Sequence, residues 1–267
     1  MIIIKIGGGK DINLPAIARD LSLLDDDMII VHGANALRDE LASRLNTSIK
    51  TVTSVSGYSS VFSDQEVIDL QMIAYAGLRN KRLVELLQQA GINAIGLSGL
   101  DGAVIRGKRN QGIRIHENGK LKLLRDFSGK PKEINRDLLS YLLSHQYLPV
   151  LTVPIIDETG QAINSENDDI VCLLQQHFKA RIVIHLIEAR GFLHDKDNPE
   201  SVIKTLSQSD LCNLESKAKG RFKRKLLAIK RLIDNGSQKV LISDGRGATP
   251  VQSALNGEGT TIYFSES

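Results

Sequence analysis

Short runs of Val, Ile and Leu alternate along the chain with stretches of helical period. Met1–Ile6 reads as a buried strand, Pro15–Leu24 as a helix capped by Asn13, Met28–His32 as a second strand and Leu37–Leu45 as a second helix. Ser63–Gln89 keeps helical period throughout, with a bend expected at Gly77; Ile92–Leu97 is the next strand. A hairpin region follows, marked by the turn signal Asn118-Gly119. Asn135 starts a helix that runs to His145, and Leu148–Val153 is a strand. Asp168–Phe178 is a helix, Arg181–Leu186 a strand, Arg221–Asp234 a helix, and Lys239–Ser243 and Thr260–Phe264 are the last strands. Alternating strands and helices, with strands that are apolar throughout, predict an α/β fold: a mostly parallel central sheet covered by helices on both faces. Ligands of such sheets sit outside the carboxyl ends of the strands. The turn-rich Pro154–Gln161 is the candidate boundary between an N-terminal lobe (1–160) and a C-terminal lobe (161–267) of one continuous fold.

Composition narrows the class. With 267 residues, 42% hydrophobic and 24% charged, the chain can bury a large core. It has no run of about 18 apolar residues, so no membrane span is expected. Two cysteines, Cys172 and Cys212, lack metal-site spacing, and a reducing, cytoplasmic setting is expected. The net charge is only +3, but the basic residues cluster: Arg106–Lys132 holds nine of them and Lys217–Lys225 six. Such clusters favour an anionic ligand or partner. With 4% aromatic residues and no nucleic-acid motif, nucleic acid is not expected.

Five motifs carry candidate chemistry. Lys5 precedes Gly7, Gly8 and Gly9 at a strand end; glycines let backbone N–H groups approach an anion, and lysine adds a point charge. The loop is not a Walker A sequence, and alone it is equally a tight turn. His32-Gly33-Ala34-Asn35 makes a second strand-to-helix turn, and Gly96–Gly102 (GLSGLDG) a third, either ligand-facing or plain. Asn164–Asp169 (NSENDD) precedes a helix and supplies a cap and carboxylates. Gly220–Lys225 (GRFKRK) opens an amphipathic helix with four cations in its first turn, which the helix dipole opposes unless an anion sits there.

In this order, the motifs resemble the amino-acid kinase family over nearly the whole chain. The likeness is to its N-acetylglutamate kinase branch, and within it to kinases acting on aminoadipate or glutamate held on the small acidic carrier protein LysW. Asn80–Gly102, Tyr147–Leu151, Gly220–Lys225 and Gly257–Thr260 carry that likeness. The resemblance implies a three-layer αβα sandwich, with the carboxylate acceptor on the N-terminal lobe and MgATP on the C-terminal lobe. It implies catalytic roles for Lys5 and Lys225, with Asp168 orienting both. It implies phosphate or nucleotide contacts at Gly7, Gly8, Gly33, Glu188, Gly191 and Gly220, and acceptor contacts at Ala34, Asn35, Val61 and Asn164. ATP and Mg²⁺ would be the cofactors, with no metal cage of protein side chains; the assembly would be a homodimer.

The chain departs from the family pattern in places. Ala34 and Asn35 stand where glycines usually follow the histidine loop, and Val61 stands where an arginine usually grips an acceptor carboxylate. Arg79 and Arg82 are alternative cations for that grip. Glu166 replaces a shorter side chain, and Glu188 replaces an Asp or Asn. A free N-acetylglutamate kinase of arginine biosynthesis is the second reading; a nucleotide-binding regulatory protein without turnover is the third.

Overall fold

The structure is a computed structural model describing residues 1–55, 57, 59–117, 119–195, 197–198, 200–217 and 220–263, with backbone only at 217 and 220–224. The first β–α–β–α run is β1 (Ile2–Ile6), α1 (Leu14–Leu21), β2 (Met28–His32) and α2 (Asn35–Arg44). The strands β3 (Thr51–Thr53) and β4 (Ser59–Val61) form a small antiparallel hairpin. A long helix follows, in which α3 (Gln65–Gln71) passes through a π-helical stretch, Met72–Arg79, into α4 (Asn80–Gln89). Around Gly77, where a bend is expected from the sequence, the structure has this π-helical stretch.

Next come β5 (Ala94–Gly99), β6 (Ile105–Arg109), a second hairpin of β7 (Ile113–Glu117) and β8 (Lys120–Leu124), and β9 (Gly129–Ile134). Asn118, the expected turn residue, lies outside the described residues. Then come α5 (Arg136–Ser144), β10 (Leu148–Ile156), β11 (Ala162–Ile163), α6 (Asn167–Phe178) and β12 (Ile182–Ile187). The chain continues with β13 (Thr205–Leu206), α7 (Gln208–Lys217), α8 (Gly220–Asp234), β14 (Lys239–Asp244), α9 (Pro250–Leu255) and β15 (Thr260–Tyr263).

Among the described residues, one 11-stranded sheet runs through both halves of the chain. Its centre is β1, paired in parallel with β2 on one side and β12 on the other. The parallel run continues through β14 beyond β12, and through β10 to β5 and β6 beyond β2; β15 adds antiparallel to β14 with β13 parallel outside it, and β9 closes the other edge antiparallel to β6.

Strand alternation builds two cores. Ile2, Ile4 and Ile6 point to the layer of α1, α4 and α9, packing with Ile17, Leu83, Leu87 and Val251. Ile3 points to the other layer, with Ile170 and Leu174 of α6 and Leu226 and Ile229 of α8. This is the expected three-layer αβα sandwich. Lys5 has the parity of Ile3, so its side chain is delivered to the α6/α8 layer at the carboxyl end of β1. No helix among the described residues is long and apolar enough to cross a membrane.

Candidate active site

The parallel register of β1 and β12 pairs Lys5 with His185. The first turn of α6 adds Asp168, whose Oδ1 lies 2.7 Å from Lys5 Nζ and 3.7 Å from His185 Nδ1. The helix α8 adds Lys225, close enough to Lys5 that their like charges interact. Burial opposes the charge on Asp168, but its neighbours together, Lys5 first and then His185 and Lys225, outweigh it and hold the carboxyl well below the usual carboxylate range. Lys225 is pushed down to about 8 by burial and by the Lys5 charge. Burial lowers His185 to about 3, so at neutral pH it is an uncharged imidazole, and neither ring nitrogen makes a hydrogen bond among the described residues. Sequence reading had singled out Lys5, Lys225 and Asp168; it had missed His185, whose only signal was a lone polar residue inside the apolar strand IVIHLI.

The glycine loops differ in detail from the expectation. Gly7 N–H donates to Leu186 O at 2.8 Å, and Gly33 N–H to Ile6 O at 2.9 Å. Each extends a ladder by one residue, so these two N–H groups are already engaged and are not free for a phosphoryl group. Gly8 is different. A Cβ there would lie 2.6 Å from Ala34 N and 2.7 Å from Asn35 N, so the two loops touch backbone to backbone. Ala36 N–H donates to Gly8 O at 3.0 Å and locks that contact.

The helix starts divide in the same way. The first turns of α1, α3 and α5 are capped by Asn13, Asp64 and Asn135, and Asp20 accepts from the first N–H groups of α9. By contrast α2 starts after Ala34 and α6 after Glu166, and neither has a side-chain cap. The Asx cap expected from NSENDD is therefore absent. Asn164 instead donates to Ser63 Oγ at 3.0 Å, and Asn167 to His32 O at 3.1 Å. Two uncapped helix starts, with their exposed N–H groups and positive dipole ends, face one space.

That space is a cavity of about 350 Å³, lined by Lys5, Lys225 and Asp168 together with Gly8, Gly33, Asn35, Val61 and Asn164. The structure thus gathers eight of the expected site residues into one place. Ala34 is buried as the residue before α2 and does not line the cavity. Arg38 and Tyr75 also line the cavity and were missed; Arg38 sits one helical turn after Asn35, and that spacing was the available signal.

The remaining expected residues lie elsewhere. Glu188 reaches the first loop from the far side, where its Oε1 accepts from Asp11 N–H at 2.7 Å. Gly191 packs against Thr260, and its φ of +143° is one that side chains rarely adopt. Gly220 opens α8. The Gly96–Gly102 turn closes on itself, with Asp101 Oδ2 accepting from Ser98 N and Oγ, which supports the plain-turn reading. Arg79, one suggested replacement cation, does not line the cavity; burial lowers its pKa, partly offset by Glu188. Arg82 is tied to Glu85 on the surface. Ser56 and Tyr58 of the acceptor loop lie outside the described residues.

A second cleft, of about 760 Å³, shares Ser60, Val61, Asn164, Ser165 and Glu166 with the first. It runs out to Arg114 on the β7–β8 hairpin, Lys130 on β9 and Arg231 on α8. Chemically, the inner cavity suits a polyanion whose charge is met by two lysines and open backbone N–H groups; the outer cleft adds Arg114 and Lys130 beside Glu166 and an Arg231–Asp169 ion pair.

The sequence model of the amino acid kinase family matches residues 1–244. A LysW-aminoadipate kinase from Thermus thermophilus is 36% identical over 98% of this chain and all of its own length. A LysW-aminoadipate kinase from Deinococcus radiodurans is also 36% identical, over 98% of this chain and 91% of its own. Among solved structures, an N-acetylglutamate synthase from Neisseria gonorrhoeae complexed with coenzyme A and N-acetylglutamate superposes with a TM-score of 0.79 at 18% identity. That match covers all of this chain and 60% of the synthase chain, and it concerns the fold alone. With the three-layer sheet, the lysine–aspartate centre and these matches in agreement, the chain belongs to the amino acid kinase family.

Proposed function

We propose that this protein is an ATP-dependent carboxylate kinase whose acceptor is an aminoadipate or glutamate presented by a LysW-type acidic carrier protein. The observation that carries the carrier-linked reading is the continuity of the inner cavity with the larger outer cleft through their shared wall. A free acyl amino acid needs only the inner space, whereas an acceptor held on a carrier protein needs a channel leading to it, and Arg114 and Lys130 stand along that channel to meet an acidic partner. The two LysW-kinase relatives support the same choice.

In this reading a carboxylate oxygen of the acceptor attacks the γ-phosphorus, the bond from that phosphorus to the bridging oxygen breaks, and ADP leaves with the electron pair. The product is an acyl phosphate. A Glu-like carboxylate, with a pKa of about 4.3, is already ionised at neutral pH, so no general base is required. Lys5 and Lys225 meet the charge on the γ-phosphoryl oxygens, and Asp168 orients the lysines. The open N–H groups at Gly8 and the start of α2 face the same oxygens. Among the described residues no three His, Cys, Asp or Glu side chains gather as a metal cage. Mg²⁺ would enter on the nucleotide phosphates, with one or two carboxylates at most, and would supply charge neutralisation. The N-terminal strands carry the acceptor side and the C-terminal lobe the nucleotide, with homodimerisation through the apolar residues Ile73 and Leu78 exposed on the long helix.

The test is acceptor-dependent ADP release with MgATP, with hydroxylamine trapping the acyl phosphate as a hydroxamate. Turnover is expected with carrier loaded with aminoadipate or glutamate, and it should fall steeply as ionic strength rises from 0.05 to 0.5 M (an assay range of the order at which charge pairs become screened). Turnover with free N-acetylglutamate that exceeds carrier turnover and is insensitive to salt would favour the second reading.

The lysine pair also sets a pH profile. Lys225 loses its proton at about 8 in the free protein, so kcat/KM for ATP is expected to fall as pH rises through that value. Bound triphosphate stabilises the ammonium, so kcat at saturating ATP should hold to higher pH. The stability effect has the opposite sense. The unfolded chain keeps this proton to about 10.5, so the group's penalty is full below pH 8 and is relieved between the two values. A kcat/KM profile flat from pH 7 to 9.5 would contradict the role given to Lys225.

A further inference from the structure

Three cationic side chains line the inner cavity among the described residues: Lys5, Lys225 and Arg38. The first two interact with each other and with Asp168 at the phosphoryl end. Arg38 is only 8% exposed. Its Nε and Nη2 both donate to Asp39 Oδ1, at 2.9 and 2.6 Å. That ion pair does not by itself explain burying an arginine, because the Asp39 side chain is 57% exposed and solvent screens the attraction. Its geometric effect is clear: one edge of the guanidinium is fixed, and Nη1 has no acceptor among the described residues. A guanidinium has five N–H donors in a rigid fork, so a fixed inner edge leaves a second edge suited to a carboxylate. The cavity wall also includes the uncharged Val61, Tyr75 and Val153 and the carboxylates of Asp39, Glu166 and Asp168, of which Asp39 and Asp168 already pair with Arg38 and Lys5.

We propose that Arg38 is the specificity-determining residue for the acceptor, its free guanidinium edge pairing with the acceptor's non-reacting carboxylate in the place left without a cation at Val61. The proposal rests on the kinase reading above. An aminoadipate attached through its amine carries two carboxylates: the one that takes the phosphoryl group, which belongs beside Lys5 and Lys225, and a second on the α-carbon. Arg38 follows Asn35 by one helical turn, so both residues of α2 address the cavity from one helix face.

The test compares two loaded carriers. One bears aminoadipate; the other bears 5-aminopentanoate, the same chain without the α-carboxylate. The wild-type protein should favour the first in kcat/KM by about 10- to 100-fold, the range of a charged hydrogen-bonded pair. Arg38→Gln should bring that ratio to near 1 by raising KM for the aminoadipate carrier, with KM for ATP and the melting temperature little changed. Arg38→Lys should keep part of the preference, because it keeps the charge and loses the fork. Adding Val61→Arg to Arg38→Gln should restore the preference by returning a guanidinium to the cavity lining. An undiminished wild-type ratio in Arg38→Gln, or an equal loss of affinity for ATP, overturns the assignment of Arg38 alone. Silence of the wild-type protein with both carriers would overturn the kinase reading and this inference with it.

Discussion

Replacing Lys5 by methionine is expected to lower the rate of trapped acyl-phosphate formation by about 10³-fold, with substrate binding less affected. Removing one preorganised donor from developing transition-state charge typically costs about 10²- to 10³-fold. Lys5 also organises the centre, so its loss should fall at the upper end. Two secondary effects give the prediction its specificity. Lys5 contributes most among the neighbours that hold Asp168 ionised against burial, so the variant leaves a largely buried carboxylate without its 2.7 Å partner. Breaking such a pair from one side costs about 3–5 kcal/mol when no other cation takes over. Here Lys225 is close enough to take over part of that role, and a smaller loss of melting temperature follows. Lys5→Met/Asp168→Asn should recover that stability and no activity. Lys5 is also one reason that Lys225 sits at about 8, so in Lys5→Met the pKa of Lys225 should rise. That shift is read by titrating labelled Lys225 by NMR. Turnover near that of the wild type would remove Lys5 from the mechanism.

The second large effect is expected from Gly8→Val. At Gly8 an added Cβ meets Asn35 Oδ1 at 2.2 Å and two backbone nitrogens under 3.0 Å, so a side-chain rotation cannot relieve the clash. The two loops must part. The start of α2 then moves away from β1, and the open N–H groups at Gly8 and Asn35 no longer converge. Overpacking of this kind costs about 1–3 kcal/mol of stability. The loss in activity should be larger, at least about 10²-fold in kcat/KM for ATP, because misplacement by roughly 1 Å is enough to cost that much. Gly247→Ala is the matched control: an added Cβ meets nothing within 4 Å, and melting temperature and rate should stay near wild type. A Gly8→Val protein with normal kinetics would mean that the touching loops hold no phosphate.

Several elements show how far local sequence reaches. Asn13 caps its helix as read, Asn135 stands at the start of its helix as read and also caps it, and the Met28–His32 strand has the predicted bounds. The short strands β3, β11 and β13 and the six-residue α9 gave no usable signal, because two or three residues span less than two strand periods and six residues less than two helical turns. The NSENDD cap failed for a different reason. Asn164 and Asn167 found stronger partners in Ser63 Oγ and His32 O, which lie far off in sequence. The basic run Lys217–Lys225 was legible as a cluster, but only Lys225 of it has a described side chain.

By itself, the sequence determined the alternation of apolar strands and helices, the lysine set at a strand end before three glycines, and the order of motifs that places the chain in its family. These follow from residues near one another in the chain, where side-chain period and turn chemistry act directly. Tertiary structure decided the rest. Placing β1 between β2 and β12 set His185 beside Lys5, extended the ladders through Gly7 and Gly33 so that their N–H groups are engaged, and left α2 and α6 uncapped around one cavity. It also turned Arg38 from an ordinary helix arginine into a cavity wall. The physical reason is that strand order and helix docking are chosen by burial of two separate cores over the whole sheet, and no local pattern encodes which distant strand will become a neighbour.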